Sequence, residues 1–149
     1  MTRQIIFGLL MASSLLAGNV VADDTVVGFV KIAEGEASVM EGQTTLQAKV
    51  GMPLHLGSII KTGSNGQLGA TFKDNTLMSF GPDTEVIIDE YLFAPADGGF
   101  KLSVNMLKGT LHYISGVIAK LKPEAVSVKT PAGIIGVRGT RFLAKAEAE

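Results

Sequence analysis

Two histidines, His55 and His112, are the first candidates for metal binding or acid–base work. Leu54 and Leu56 flank the first, and Leu111 and Tyr113 flank the second. That alternation puts each imidazole on the polar face of a strand. Metal sites need clustered ligands, and neither a His-x-x-x-His nor a His-Glu-x-x-His spacing occurs. Glu85, Asp89 and Glu90 are the candidate carboxylates for glycan hydrolysis. Glu85 and Asp89 lie four positions apart, roughly 13 Å along a strand at 3.3 Å per residue. They would line one surface without facing each other across a cleft. Asp97 and Asp74 fall in Asp-Gly-Gly and Asp-Asn sequences, which are turn chemistry. The regular series of oxygen ligands that calcium requires is missing. So is the Gly-x-Ser-x-Gly turn that carries a nucleophilic serine.

Composition narrows the chemistry further. The 149 residues include no Cys, which excludes disulfides, thiolate zinc sites, a thiol nucleophile and a lipidated amino-terminal Cys. A net charge of -1 argues against general nucleic-acid binding, which needs a basic excess to displace counterions. The residues thus lead to a non-enzymatic protein with no catalytic, cofactor-binding or metal residues and no cofactor.

The segment that does not reduce to ordinary strand and turn chemistry is Lys129-Thr-Pro-Ala-Gly-Ile-Ile-Gly-Val-Arg-Gly-Thr-Arg-Phe142. Gly133, Gly136 and Gly139 recur every third residue, and Arg138 sits inside an apolar stretch. The expected role of Arg138 is a buried clamp. Its five donors would meet turn carbonyls or a carboxylate, with Asp74 as the expected partner. The alternative is an anion-binding spot.

The elements that hold these residues read as strands. Residues 68–72, 86–88, 102–106, 111–113 and 126–128 alternate apolar and polar side chains. Explicit turns fall at Lys61–Gly66, Lys73–Asn75, Gly81–Asp83 and Ala96–Gly99. Gly is 18 of 149 residues, about 12% against the usual ~7%. Short strands with glycine at their corners predict an all-β domain that is solenoid-like or roll-like. Val117–Lys122 is the one expected helical turn, ended by Pro123. Ala144–Glu149 reads as a polar tail that frays.

Location is written in the first residues. A basic Arg3, an apolar run from Ile5 to Ala17 and a small-residue Val20-Val-Ala22 have the three-part anatomy of a secretory signal peptide. The expected organisation is a signal peptide over 1–22, one β domain over 25–145 and a tail over 146–149. The expected location is the periplasm or outside the cell. No membrane span is expected after cleavage.

Taken in order, the motifs resemble the FecR-type periplasmic domain family. The carrying residues are Thr130-Pro131, Gly136-Val-Arg138-Gly139-Thr140 and Phe142. Upstream, Gly51 to Leu54, Gly57 to Ile60 and Thr62-Gly63 resemble the family's entry motif, with Ser58 where Asp is usual. Phe72, Asp74 and Thr76-Leu77 resemble its next element, with Asn75 in place of Gly. Asn tolerates the left-handed turn that Gly would take. Leu107 to Gly109 and Ser115-Gly116 continue the match, which covers about residues 27–145. The resemblance implies a β-rich, non-catalytic domain in which Asp74, Thr130, Pro131, Gly136, Arg138, Gly139 and Thr140 are structural. Some members relay a signal from an outer-membrane transporter to a sigma factor. Others are stand-alone secreted proteins, the form this sequence resembles. The implied partners are an envelope protein or a surface glycan, with no nucleic acid. A structural or assembly protein of the envelope is the second reading.

Overall fold

The computed structural model describes residues 26–137 and 139–147. The expected signal peptide and Arg138 lie outside the described residues. Twelve strands account for most of the described residues. They are β1 (Val26–Glu34), β2 (Ala37–Glu41), β3 (Thr44–Gln47), β4 (Pro53–His55), β5 (Ile59–Thr62) and β6 (Gln67–Phe72). Then come β7 (Leu77–Phe80), β8 (Glu85–Ala94), β9 (Gly99–Ile114), β10 (Val126–Thr130), β11 (Gly133–Gly136) and β12 (Arg141–Ala146). One short helix, α1 (Val117–Leu121), links β9 to β10. The chain is all-β, as its alternation predicts.

The strands form one curled sheet that doubles back on itself, so that two layers face each other. In one layer the order is β3-β2-β5-β8-β9-β10-β11. In the other it is β4-β1-β6-β7-β9-β12. Every contact is antiparallel except β9 with β10, which the α1 connection makes parallel. The 16-residue β9 belongs to both layers. Its residues up to Lys108 pair with β8, and its residues from Gly109 pair with β12. The alternating apolar side chains meet between the layers, where Val30, Val39, Ile60, Leu68, Phe72, Phe80, Val86, Val104, Leu111 and Val128 are buried.

The sheet bends along a line of corners. β1 passes into β2 at Gly35, β5 into β6 at Gly63–Gly66, β7 into β8 at Gly81–Thr84, and β9 turns at Gly109. Two buried threonines stitch this line. The Thr62 hydroxyl donates to the Gly81 carbonyl (2.6 Å) and accepts from the Thr84 amide (2.9 Å). The Thr84 hydroxyl accepts from the Thr110 amide (3.0 Å). The packing there leaves no room for a side chain on Gly109. Its φ is +103°, and a Cβ would lie 2.2 Å from Thr84 Oγ1 and 2.4 Å from Thr84 Cα.

Two sequence expectations are refined. Residues 102–106 and 111–113 belong to one strand, because the corner at Gly109 bends β9 without ending it. Ala144–Ala146 do not fray. They pair with Leu111, Thr110 and Gly109, and Ala144 and Ala146 are buried. Ala144, Lys145 and Ala146 keep strand alternation within the alanine-rich composition that suggested a tail.

The corner gives the first prediction. Gly109→Ala should cost about 2–4 kcal/mol, because the methyl meets backbone atoms in a left-handed conformation. Gly42→Ala, also at positive φ but with open space around it, should cost only about 1 kcal/mol. Urea denaturation of both variants checks the contrast.

Candidate functional site

Opposite the line of corners the two layers open into a mouth, and polar side chains close part of it. Asp74, in the turn between β6 and β7, is fully buried. Its carboxylate accepts from the Thr76 hydroxyl (2.7 Å), the Thr76 amide (3.3 Å), the Ile118 amide (3.1 Å) and the Tyr91 hydroxyl (3.0 Å). Its carbonyl accepts from the Val117 amide (2.8 Å). One acidic residue thereby ties its own turn to β8 in the opposite layer and caps α1 from outside the helix. Asn75 beside it has a φ of +68°, the left-handed turn expected there. Gly116 starts the helix so close that a Cβ would sit 2.3 Å from the Thr76 amide nitrogen.

Among the described residues, the donors to Asp74 are hydroxyls and amides. Sequence reasoning singled out Asp74 but named Arg138 as its partner. Arg138 lies outside the described residues. Tyr91 was missed. Its one sequence signal is a phenol in a strand whose neighbours Leu92 and Phe93 break the alternation.

A second polar tie crosses the mouth at its other end. The Ser58 hydroxyl accepts from the His55 amide (2.9 Å) and donates to Glu41 Oε1 (2.5 Å). His55 Nδ1 lies 3.2 Å from the same oxygen. Ser58 is fully buried and His55 half-buried, so His55 is not the solvated residue its alternation suggests. The serine hydroxyl is directed at the carboxylate and not at the imidazole, so the triplet differs from a Ser-His-Asp arrangement.

The other candidate residues stay apart. His112 is exposed on β9. Glu85, Asp89 and Glu90 each face a lysine: Lys61 at 3.7 Å, Lys129 at 2.8 Å and Lys101 at 3.4 Å. Thr130 donates its hydroxyl to the Gly133 carbonyl (2.9 Å), which shapes the turn through the exposed Pro131. Gly136, Gly139 and Thr140 are exposed, and the Gly139 and Thr140 carbonyls accept from Ser115 (3.0 and 2.8 Å). Among the described residues no group of three His, Asp or Glu side chains could hold a metal ion.

A concavity of about 980 Å³ lies at the unstitched part of the mouth. Ala119 and Pro123 from the α1 connection, Val126 of β10, Ile135 of β11 and Phe142 and Leu143 of β12 line it. It is mostly apolar and open. The segment singled out in the sequence, 129–142, supplies half of the residues that line it. Ile134 and Leu143 stand at its rim, 71% and 70% exposed. The adjacent pair Ile134-Ile135 carries the signal for this, since neighbouring side chains on a strand point to opposite faces and only one can enter the core. Beneath the groove Phe142 stacks on Tyr113 with centroids 4.8 Å apart.

A family model for FecR protein matches residues 58–149, and the chain belongs to that family. The family is signalling-related and typically associated with the cell envelope. No curated protein and no solved structure matches the chain significantly. Among the described residues no helix is long and apolar enough to cross a membrane.

Two predictions come from the mouth. Asp74→Ala should destabilise the fold by about 2–4 kcal/mol, because it orphans several buried donors at once. Thermal and urea unfolding check it. The second concerns the chain's two tyrosines. Burial, reinforced by the charge of Asp74, pushes the Tyr91 phenol well up from its ordinary value. Burial also raises Tyr113, whose hydroxyl has no hydrogen-bond partner among the described residues. Ser115 and Thr76 offset part of that rise without reaching bonding geometry. Below about pH 10 both folded and unfolded phenols hold their protons. Above it the unfolded chain releases them first, so stability falls as pH rises towards the folded values. Phenolate absorbance should therefore appear together with unfolding, in one cooperative step. A separate phenolate titration near pH 10 in folded protein would contradict this.

Proposed function

We propose that this chain is a non-enzymatic binding module of the cell envelope, acting in the periplasm or outside the cell as an accessory to sensing or signalling. The observation that carries this reading is the apolar groove at the mouth. Monomer surfaces rarely leave large aliphatic side chains such as Ile134 and Leu143 together beside an open concavity unless something covers them. The separation of His55, His112, Glu85 and Asp89 supports a role without acid–base chemistry, which requires paired and tuned groups. Membership of the FecR family supports the signalling context. The partner in this reading is an envelope protein or a surface glycan. A structural or assembly role in the envelope is the second reading, favoured by the exposed edge strands β3 and β11.

The test is residues 23–149 exported to the periplasm with a photo-crosslinking side chain at Ile134. A discrete crosslinked partner is expected. Leu143→Asp should remove most of that crosslink and leave the melting temperature within about 2 °C, since the side chain is exposed. Turnover of a cell-wall or polysaccharide substrate by the isolated domain, lost in Glu85→Gln or His55→Ala, would overturn the reading.

A further inference from the structure

We propose that β12 is a docking edge for one added β-strand, supplied by a partner protein whose outward side chains are acidic around a central aliphatic residue. The inference rests on the binding-module reading and names the chemistry of the partner. The strand orders carry it. Aligned on the shared β9, the two layers correspond strand for strand: β3 over β4, β2 over β1, β5 over β6, β8 over β7 and β10 over β12. At the end, β11 has no counterpart. One layer has seven strands and the other six. The missing position lies beside β12, along the edge that does not pair with β9, and the groove opens next to that position.

Such an edge offers a row of backbone donors and acceptors that have no strand partner among the described residues. An extended peptide can satisfy them by main-chain pairing, and side-chain contacts then set its identity. Along β12 the side chains alternate. Phe142, Ala144 and Ala146 turn inward, where Ala144 and Ala146 are buried and Phe142 is half-buried against Tyr113. Arg141, Leu143 and Lys145 are all exposed. Directly opposed cross-strand pairs prefer opposite charges and matched apolar groups. The outward row cation–aliphatic–cation therefore selects an outward row of acid–aliphatic–acid. The inward row would meet the apolar groove wall and favours small apolar residues.

Charge also argues against a second copy pairing through the same strand. An antiparallel β12–β12 pair centred on Leu143 would set Arg141 of each copy opposite Lys145 of the other, and like charges directly opposed are destabilising. Among the described residues Arg141 has no ion pair. Lys145 has only a contact of 3.9 Å with Glu147, between side chains that are both largely exposed.

The probe is the six-residue Glu/Val peptide Glu-Val-Val-Val-Glu-Val, whose outward row reads acid–aliphatic–acid, matched to the six residues of β12. Three controls accompany it: the Lys/Val analogue, the Glu/Val peptide N-methylated at every second amide, and the double variant Arg141→Glu/Lys145→Glu. Amide chemical shifts and hydrogen exchange of the labelled domain report the contact. The Glu/Val peptide should bind about tenfold more tightly than Lys/Val and protect the outward-facing amides of β12. The double variant should keep its melting temperature and invert the peptide preference. N-methylation should abolish binding.

Equal binding of the N-methylated peptide, or shifts spread over other lysines, would overturn the proposal in favour of simple charge attraction. Concentration-dependent dimerisation through β12 would overturn it in favour of a second copy. The outcome is separable from that of the proposed function. A crosslink from Ile134 to a partner that leaves the β12 amides unprotected would keep the binding module and discard strand addition. Loss of both would discard both.

Discussion

The structure depends on how closely backbones approach one another at the corners of the folded sheet. A continuous sheet can close over its own core only if every strand changes layer along the same line, and each change brings backbone against backbone. Here the separation leaves no space for a Cβ. A side chain on Gly35 would meet the Asn65 carbonyl at 2.1 Å, and one on Gly66 the Glu36 carbonyl at 2.0 Å. Thr62 and Thr84 then fill the positions where the ladder is interrupted, and their hydroxyls replace the missing backbone bonds. Glycine supplies the bend and threonine restores the hydrogen bonding.

The mouth solves the opposite problem. There the layers diverge, and the chain bridges the gap with polar ties anchored on two carboxylates, the buried Asp74 and the half-buried Glu41. Asp74 gathers a turn, a strand and a helix start onto one side chain. Glu41 does similar work for Ser58 and His55.

Much of this architecture was legible in the sequence, and the reasons are local. Leu68–Phe72 and Val126–Val128 declare strands because alternate residues must reach the core. Asn75 declares its turn because few other residues tolerate the left-handed conformation. Val117–Leu121 stands out as helix because Pro123 ends it. What stayed hidden is non-local. Tyr91 reaches Asp74 across 17 positions of sequence, and Ser58 reaches Glu41 across 17 more of its own. No periodicity encodes which turn meets which strand across the mouth. His55 illustrates this: alternation places it on a polar face, and only the fold shows that this face meets Glu41. The alanine-rich end misleads for a related reason. Alanine reads as helix or tail by composition, yet Ala144 and Ala146 are small because β12 packs against a crowded corner.

β9 runs through both layers without interruption, and this has a consequence for how the molecule comes apart. Two sheets that shared only side-chain contacts could separate as independent units, each opening at its own free energy. Here the same strand supplies a wall of each layer, so melting either one leaves half of β9 without partners and exposes the core of the other. The domain should therefore behave as a single cooperative unit, with opening confined to the outer strands β3, β4 and β11. A force or a ligand acting on the edge at β12 is borne by a strand whose other half anchors the opposite layer.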